Sequence, residues 1–189
     1  MKSSLNIILA SKSPRRQELL KLMGFDFKVV LKDVDESYPS NLKPEDVAVF
    51  IAEKKARAFD DSITNEVVIT SDTIVCVDGQ ILGKPGNREE AIQMVNMLSG
   101  TTHDVITGVS ILRNHHIISF YDVTRVSFEK LTDEEAAFYI DTYQPYDKAG
   151  AYGIQEWIGM NKISRIEGSY TNVMGLPTEK LYKHLMALN

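Results

Sequence analysis

The stretch at residues 67–77 reads VVITSDTIVCV and is the strongest strand signal in the chain. Its apolar and β-branched residues predict a buried strand from Glu66 to Val77. One residue, Asp72, interrupts the apolar run. A buried carboxylate is costly unless it is paired, hydrogen-bonded or bound to a metal. Asp72 is therefore either a structural residue bonded to backbone or a functional one, acting as a metal ligand or a general base.

Strands and helices are predicted on both sides of this stretch, without strict alternation. Further strands are expected at Asn6–Ala10, Phe25–Leu31, Gln80–Leu82, Thr102–Arg113 and Ile117–Phe128, with a weaker signal at Trp157–Ile166. Helices are expected from Pro14 to about Met23, from Pro44 with Phe59 on its core face, from Asn87 to near Leu98, from Thr132 to about Thr142 and from Pro177 to Leu188. This pattern indicates a mixed α/β sheet with flanking helices. The long hairpin after Gly100 suggests two lobes with a cleft between them, in one domain over residues 1–189.

Composition and charge exclude several classes of protein. The chain has 189 residues, 43% of them hydrophobic, so it is neither disordered nor fibrous. Its net charge of −5 argues against a nucleic-acid partner but leaves room for a local anion pocket. One cysteine, Cys76, rules out an internal disulfide, and we expect it to be a buried, inert thiol. No segment has the ~18 apolar residues of a membrane span, so the expected location is the cytoplasm.

The junction between the first strand and the first helix carries the clearest binding signal. Ser11 and Ser13 lie in a short loop, Pro14 begins the helix, and Arg15 and Arg16 follow in its first turn. Free backbone N–H groups at such a junction bind anions, and guanidinium groups suit phosphate. Cations are disfavoured at a helix N-terminus, so two arginines there need an explanation. The alternative is a solvated basic turn with a structural cap.

The other candidate residues are weaker on their own. Glu36, Lys55 and Lys84 are scattered, and Lys55 also fits an exposed charged helix face. Lys84 lies in Gly-Lys-Pro, which lacks the spacing and the Ser or Thr of a nucleotide-binding P-loop. Residues 146–155 form a glycine-containing loop that ends at Gln155, whose amide could read a base edge. His115 and His116 are adjacent on a predicted turn, so we expect them to be exposed rather than metal ligands.

Taken together, these segments resemble the Maf family of nucleoside triphosphate pyrophosphatases over nearly the whole chain. The segments that carry the resemblance are ILASKSPRR at 8–16, VDE at 34–36, IAEKKARA at 51–58, SDTIVCVDGQILGKP at 71–85, LSGTTHDVITGVSI at 98–111, DKAGAYGIQ at 147–155 and GSYTNVMGLP at 168–177. The resemblance implies an α/β fold with an elongated sheet and a cleft between two lobes, similar to the inosine triphosphate pyrophosphatases. It also implies hydrolysis of a nucleoside triphosphate to the monophosphate and pyrophosphate.

The resemblance further implies roles for individual residues. Asp72 falls at the position of the family's proton acceptor. The subfamily that acts on dTTP and UTP has Arg, Thr and Gln where this chain has Arg15, Thr73 and Gln155. The sister subfamily, associated with 7-methyl-GTP, has Trp, Gln and Glu there. A glutamine can donate to a pyrimidine carbonyl and an ionised glutamate cannot, which gives the difference a physical reason.

These implications form a hypothesis for an acid-anhydride hydrolase. Phosphate is expected to bind Ser11, Arg16, Lys55 and Lys84, and a Mg²⁺ or Mn²⁺ ion is expected at Glu36 and Asp72. The resemblance also implies a homodimer, a role in housecleaning of nucleotide pools and a link to septum formation. The alternative is a non-catalytic nucleotide-binding or septum-regulating interaction protein.

Overall fold

The computed structural model describes residues 5–188 and contains one seven-stranded sheet with flanking helices. The strands are β1 (Ile7–Leu9), β2 (Phe27–Val29), β3 (Val67–Val77), β4 (Gln80–Leu82), β5 (Thr102–Arg113), β6 (His116–Phe128) and β7 (Ile163–Glu167). The helices are α1 (Pro14–Leu22), α2 (Pro44–Arg57), α3 (Arg88–Leu98), α4 (Asp133–Tyr143), α5 (Trp157–Lys162), α6 (Tyr170–Val173) and α7 (Thr178–Met186). Short 3₁₀ turns occur at Asp60–Ser62 and Ala149–Ala151.

The sheet is mixed, as the sequence predicts. Its order is β2-β1-β3-β5-β6-β7, and β4 pairs with β3 outside this path. β1 is parallel to both β2 and β3, whereas β4 is antiparallel to β3 and β7 is antiparallel to β6. The prediction of a mixed α/β fold with flanking helices is confirmed.

The described chain forms two compact units. Unit 1 contains residues 5–72, 107–122 and 175–188, and unit 2 contains residues 73–106 and 123–174. The long strands β3, β5 and β6 each contribute to both units. The description of the chain as a single two-lobed domain stays a prediction.

The core of unit 1 lies between the sheet and the apolar face of α2. Val47, Ala48 and Ile51 on that face are buried, as the helical spacing predicts. Phe59 is also buried, but it lies beyond the last helical residue, Arg57, and packs with Val68 and Leu112 of the sheet. Ala56 of α2 belongs to the same cluster, so the end of the helix packs on the sheet.

The core of unit 2 surrounds α3 and α4. The buried residues of this cluster include Val75, Val95, Val126, Tyr139, Ile140 and Tyr152. A complete capping box of Thr132 and Glu135 begins α4. At α3 the cap is different: Asn87 accepts from the backbone of Glu90, but the Glu90 carboxylate bonds the N–H of Gly86 at 2.8 Å.

Two local predictions are wrong. The segment Trp157–Ile166 is not one strand, because α5 forms first and β7 starts only at Ile163. Its apolar residues fit either period over so short a length; Ile158 is buried in the core while Met160 is largely exposed. Cys76 is only half-buried on β3 rather than fully buried.

Other local predictions are confirmed. His115 and His116 are both exposed around the turn between β5 and β6. Within residues 5–188, none of the helices is both long and apolar enough to cross a membrane.

Gly108 of β5 provides a test of how α2 packs on the sheet. A Cβ at this position would lie 2.3 Å from the carbonyl carbon of Ala48. Relief of this clash would require the backbone of α2 to shift, which costs more than a side-chain rotation. We expect Gly108→Ala to lower the free energy of unfolding by about 3 kcal/mol or more. Gly83→Ala is the matched control, because a Cβ at Gly83 meets nothing within 4 Å. Urea unfolding of both variants checks this, and equal midpoints would contradict it.

His103 of β5 makes the stability depend on pH. Its Nε2 lies 2.8 Å from the Tyr152 hydroxyl, while its Nδ1 is buried with no hydrogen-bond partner among residues 5–188. Burial lowers the pKa of His103 from 6.5 to about 4. Below pH 6.5 the unfolded chain therefore binds a proton that the folded chain rejects until about pH 4, so stability is lost as the pH falls through this window.

We expect the loss of stability caused by His103 to reach about 3 kcal/mol at pH 4. It would appear as a smaller loss of stability between pH 7 and pH 4 in His103→Gln than in the wild type, measured by urea unfolding. His116→Gln, at an exposed position, serves as the control. Parallel pH profiles for wild type and His103→Gln would contradict the prediction.

Candidate functional site

The candidate site of unit 1 begins where β1 stops beside a much longer β3. Leu9, the last residue of β1, pairs with Ile69, and the Ala10 N–H donates to the Ile69 carbonyl at 2.9 Å. β3 then continues through Ser71 and Asp72 while the neighbouring chain turns into the loop before α1. Ligands of α/β sheets bind beyond the carboxyl ends of such parallel strands. The loop at Ser11 and the middle of β3 therefore share this position.

Asp72 is paired with a lysine from α2. The Lys55 ammonium lies 2.7 Å from Asp72 Oδ1 and 2.8 Å from Glu36 Oε1, so one cation bridges two carboxylates. The side chains of Lys55 and Asp72 are 16% and 13% exposed, whereas Glu36 is 48% exposed. Lys55 is therefore not on a solvated helix face; it compensates the carboxylate that interrupts β3.

Arg16 joins three segments of unit 1. Its Nε donates to the Gly175 carbonyl at 2.8 Å, and its Nη1 donates to the Ser71 carbonyl at 3.0 Å and to Ser11 Oγ at 3.4 Å. Burial lowers the pKa of Arg16 from its ordinary value, and the attraction of Asp72 opposes that change. The guanidinium stays charged. Arg16 thus brings positive charge beside Asp72 and also holds the loop, the strand and the segment before α7 together.

The hydroxyls of Ser11 and Ser71 are buried at the same place. Ser11 Oγ accepts the Ser13 N–H at 3.2 Å, and Ser71 donates to the Gly175 carbonyl at 2.9 Å. The roles of Ser71 and Gly175 were missed by sequence reasoning. Gly175 has a φ of 101°, which favours glycine, and it falls in the 168–177 segment that carried the family resemblance without a role. The glycine at position 175 is the sequence signal that could have indicated the role of this segment.

The structure brings together five of the predicted residues: Ser11, Arg16, Glu36, Lys55 and Asp72. The remaining four are placed as follows: Arg15 half-buried on α1, Thr73 half-buried on β3, Lys84 exposed after β4 and Gln155 exposed before α5. Thr73, Lys84 and Gln155 belong to unit 2.

The carboxylates of Glu36 and Asp72 fit a hard divalent cation. Both contact the Lys55 ammonium, so their oxygens lie no farther apart than the sum of the two ion-pair distances. Across residues 5–188 there is no cluster of three or more His, Cys, Asp or Glu side chains that could hold a metal. Mg²⁺ commonly uses one or two carboxylates together with substrate phosphate and water. The donor set therefore suits a cation that arrives with an anionic substrate.

Arg16→Lys tests whether the guanidinium fork holds this site together. A lysine has no second arm to reach both the Ser71 and Gly175 carbonyls, so one of these buried carbonyls loses its charged donor. We expect a loss of about 2 kcal/mol in the free energy of unfolding. Arg57→Lys, at an exposed ion pair with Glu53, is the control and should change stability little. If both variants unfold at the same urea concentration, Arg16 does not have this role.

Comparison with known proteins gives a consistent result. The family model described as Maf-like protein matches residues 6–188. A protein of Flavobacterium johnsoniae named dTTP/UTP pyrophosphatase is 52% identical over 183 residues, covering 96% of this chain and 94% of its own. A protein of Bacteroides fragilis strain YCH46 with the same name is 51% identical over 184 residues, covering 96% and 95%.

A solved structure shares the fold at low sequence identity. A HAM1 protein from Coxiella burnetii superposes with a TM-score of 0.53 and 15% identity, over 97% of this chain and 99% of that one. At this identity the likeness concerns the fold alone. The family match and the close relatives confirm the resemblance found in the sequence: this chain belongs to the family of Maf-like proteins.

Proposed function

We propose that this protein is a nucleoside triphosphate pyrophosphatase that hydrolyses dTTP and UTP to the nucleoside monophosphate and pyrophosphate. The observation that carries the proposal is the ion pair between Asp72 of β3 and Lys55 of α2, next to Arg16 and Ser11. A largely buried carboxylate surrounded by cationic groups suits the hydrolysis of a phosphoanhydride. Its support is the close similarity to proteins named dTTP/UTP pyrophosphatase.

The positive charges of unit 1 are the proposed phosphate-binding groups. Lys55 and Arg16 offset part of the negative charge of a triphosphate, and the Ser11 hydroxyl adds a hydrogen bond. The N-terminus of α1, which starts at Pro14 directly after this loop, adds the positive end of its dipole. Lys84 of unit 2 is proposed as a further phosphate ligand because of its place in the family motif.

Asp72 is the proposed proton acceptor. Its carboxylate orients a water molecule and takes its proton while the water oxygen forms a bond to the α-phosphorus. The bond from that phosphorus to the bridging oxygen breaks, and pyrophosphate leaves with the electron pair. No covalent enzyme intermediate is required. Lys55, held between Asp72 and Glu36, keeps the carboxylate in place during the transfer.

Glu36 and Asp72 would hold a Mg²⁺ or Mn²⁺ ion. When bound, the cation supplies charge neutralisation for the triphosphate. Both ions accept oxygen ligands, so the two carboxylates suit either of them.

Base selection is proposed for Arg15, Thr73 and Gln155, in line with the family's pyrimidine subfamily. The amide of Gln155 can both donate and accept, which matches the carbonyls and the N–H of uracil or thymine. Modified pyrimidine nucleotides carry the same edge and are proposed as further substrates. A homodimer, a cytoplasmic location, nucleotide-pool housecleaning and a link to septum formation stay predictions, as does the absence of a nucleic-acid partner.

Pyrophosphate release from a panel of nucleoside triphosphates tests the proposal, with Mg²⁺, with Mn²⁺ and with EDTA. We expect metal-dependent conversion of dTTP and UTP to monophosphates, and little turnover of purine nucleotides. Preferential turnover of a purine nucleotide would overturn the pyrimidine assignment. Absence of turnover by folded protein would favour the non-catalytic binding alternative.

Asp72→Asn tests the proton acceptor. The amide keeps the size of the side chain but cannot take a proton, so we expect kcat for dTTP to fall by about 10²–10⁴-fold. Asp61→Asn, at an exposed position of unit 1, should retain wild-type kcat. Circular dichroism confirms that both variants are folded. A kcat near wild type in Asp72→Asn would refute the assignment.

Gln155→Ala tests base recognition. Loss of the amide removes hydrogen bonds to the base but none to the phosphates, so we expect the preference for dTTP over dGTP, as kcat/KM, to fall by about tenfold or more. Gln93→Ala, on the exposed face of α3, is the matched control. An unchanged preference would exclude Gln155 as the base reader.

A further inference from the structure

Gln155 lies in a tight turn of unit 2. The turn consists of residues 153–156 and is closed by a hydrogen bond of 3.0 Å from the Glu156 N–H to the Gly153 carbonyl. Gly153 and Ile154 are buried, while Gln155 is exposed at the third position. The direction of its side chain therefore depends on how firmly the two ends of this turn are held.

A single tyrosine hydroxyl contacts both ends of the turn. Tyr139 of α4 accepts the Gly153 N–H at 2.9 Å and donates a short hydrogen bond to the Glu156 carboxylate. Tyr139 is fully buried. Burial raises the pKa of its hydroxyl most, and the hydrogen bond to Glu156 raises it further. The hydroxyl therefore stays protonated and remains a donor to Glu156.

Lys148 completes the cluster. Its ammonium lies 3.0 Å from Glu156 Oε1 and 2.8 Å from Asp147 Oδ1, and its side chain is only 11% exposed. Gly153 leaves room for this arrangement, because a Cβ there would lie 2.7 Å from the Glu156 carboxyl carbon and 3.0 Å from Lys148 Cε. The cluster thus depends on the absence of a side chain at the first turn position.

The helix that carries Tyr139 is capped at its start and buried along one face. α4 begins with a complete capping box, and Ala136 and Ile140 beside Tyr139 are buried in the unit 2 core. A phenylalanine could supply the same apolar packing, so the core does not explain the hydroxyl. Buried polar groups that are fully bonded specify one local geometry. Here the geometry that is specified is that of the turn bearing Gln155.

We propose that Tyr139, together with Glu156 and Lys148, positions Gln155 for pyrimidine recognition by clamping both ends of the 153–156 turn. This rests on the proposed function, in which Gln155 reads the base. Tyr139 acts through Gln155 and touches neither base nor phosphate. Removal of its hydroxyl frees the turn, so Gln155 samples several orientations and the discrimination between bases declines.

A double-mutant cycle of Tyr139→Phe and Gln155→Ala tests this dependence. We expect Tyr139→Phe to reduce the dTTP-over-dGTP ratio of kcat/KM by about tenfold, mainly through KM for dTTP. In the Gln155→Ala background the same change should reduce the ratio no further. Tyr143→Phe is the matched control, since this exposed tyrosine stacks on Tyr139 from the same helix. It should leave the ratio unchanged.

A second readout is independent of turnover. Hydrogen–deuterium exchange should be faster at the amides of residues 153–156 in Tyr139→Phe than in wild type, and unchanged in Tyr143→Phe. If the wild type hydrolyses no nucleotide, the proposed function fails while this exchange result still tests the clamp. If wild type is active and Tyr139→Phe lowers the melting temperature without altering exchange or base preference, the tyrosine is merely structural and the proposal is overturned. Multiplicative effects in the double mutant would overturn it as well.

Should Tyr139→Phe fail to fold, Glu156→Gln takes its place. The amide still accepts from Tyr139 but no longer pairs with Lys148, so we expect a smaller loss of base preference, about threefold, with faster exchange in the turn. A base preference and an exchange rate equal to wild type would overturn the proposal.

Discussion

A carboxylate in the middle of the strongest strand signal of the chain must be compensated, and the site of unit 1 follows from that constraint. Asp72 interrupts β3 and is only 13% exposed, so its charge needs a partner within the protein. α2 supplies Lys55 at 2.7 Å. Because the same ammonium also contacts Glu36, the loop after β2 is drawn to β3. One electrostatic requirement therefore relates a strand, a helix and a loop that are distant in sequence.

Arg16 meets a second requirement at the same place. β1 is short, so the backbone of β3 beyond Ile69 must find other partners. The guanidinium donates to the Ser71 carbonyl and to the Gly175 carbonyl. The Ser71 hydroxyl also donates to the Gly175 carbonyl. These buried acceptors therefore explain why an arginine occupies the first turn of α1, where a cation is otherwise disfavoured. Its charge remains beside Asp72, where the proposed substrate is anionic.

In unit 2, buried polar contacts hold a turn instead of compensating a carboxylate in a strand. Its loop at 147–156 must present an exposed polar side chain from an otherwise buried turn. Tyr139, Glu156 and Lys148 provide the bonds that such a turn lacks. The polar cluster occupies the space that a side chain at Gly153 would fill, so this glycine serves packing inside the protein.

Local signals determined much of this protein in advance. The apolar run of β3 and the start of α1 at Pro14 depend on residues near in sequence, and the structure agrees with both. The motif residues Ser11, Arg16, Glu36, Lys55 and Asp72 were also found from sequence, through a family pattern. Where local preference was balanced, as at residues 157–166, the helix and strand could not be separated.

Tertiary structure alone decided which partner each polar group has. No periodicity in the sequence indicates that Lys55 bridges two carboxylates, that Arg16 reaches Gly175 across 159 positions, or that Tyr139 bonds Gly153. Such pairings arise because burial favours partners for most donors and acceptors, and the partners come from whatever segments the packing brings near. The sequence determined the elements, their order and the types of residue at the site. The folded chain determined which of those residues meet.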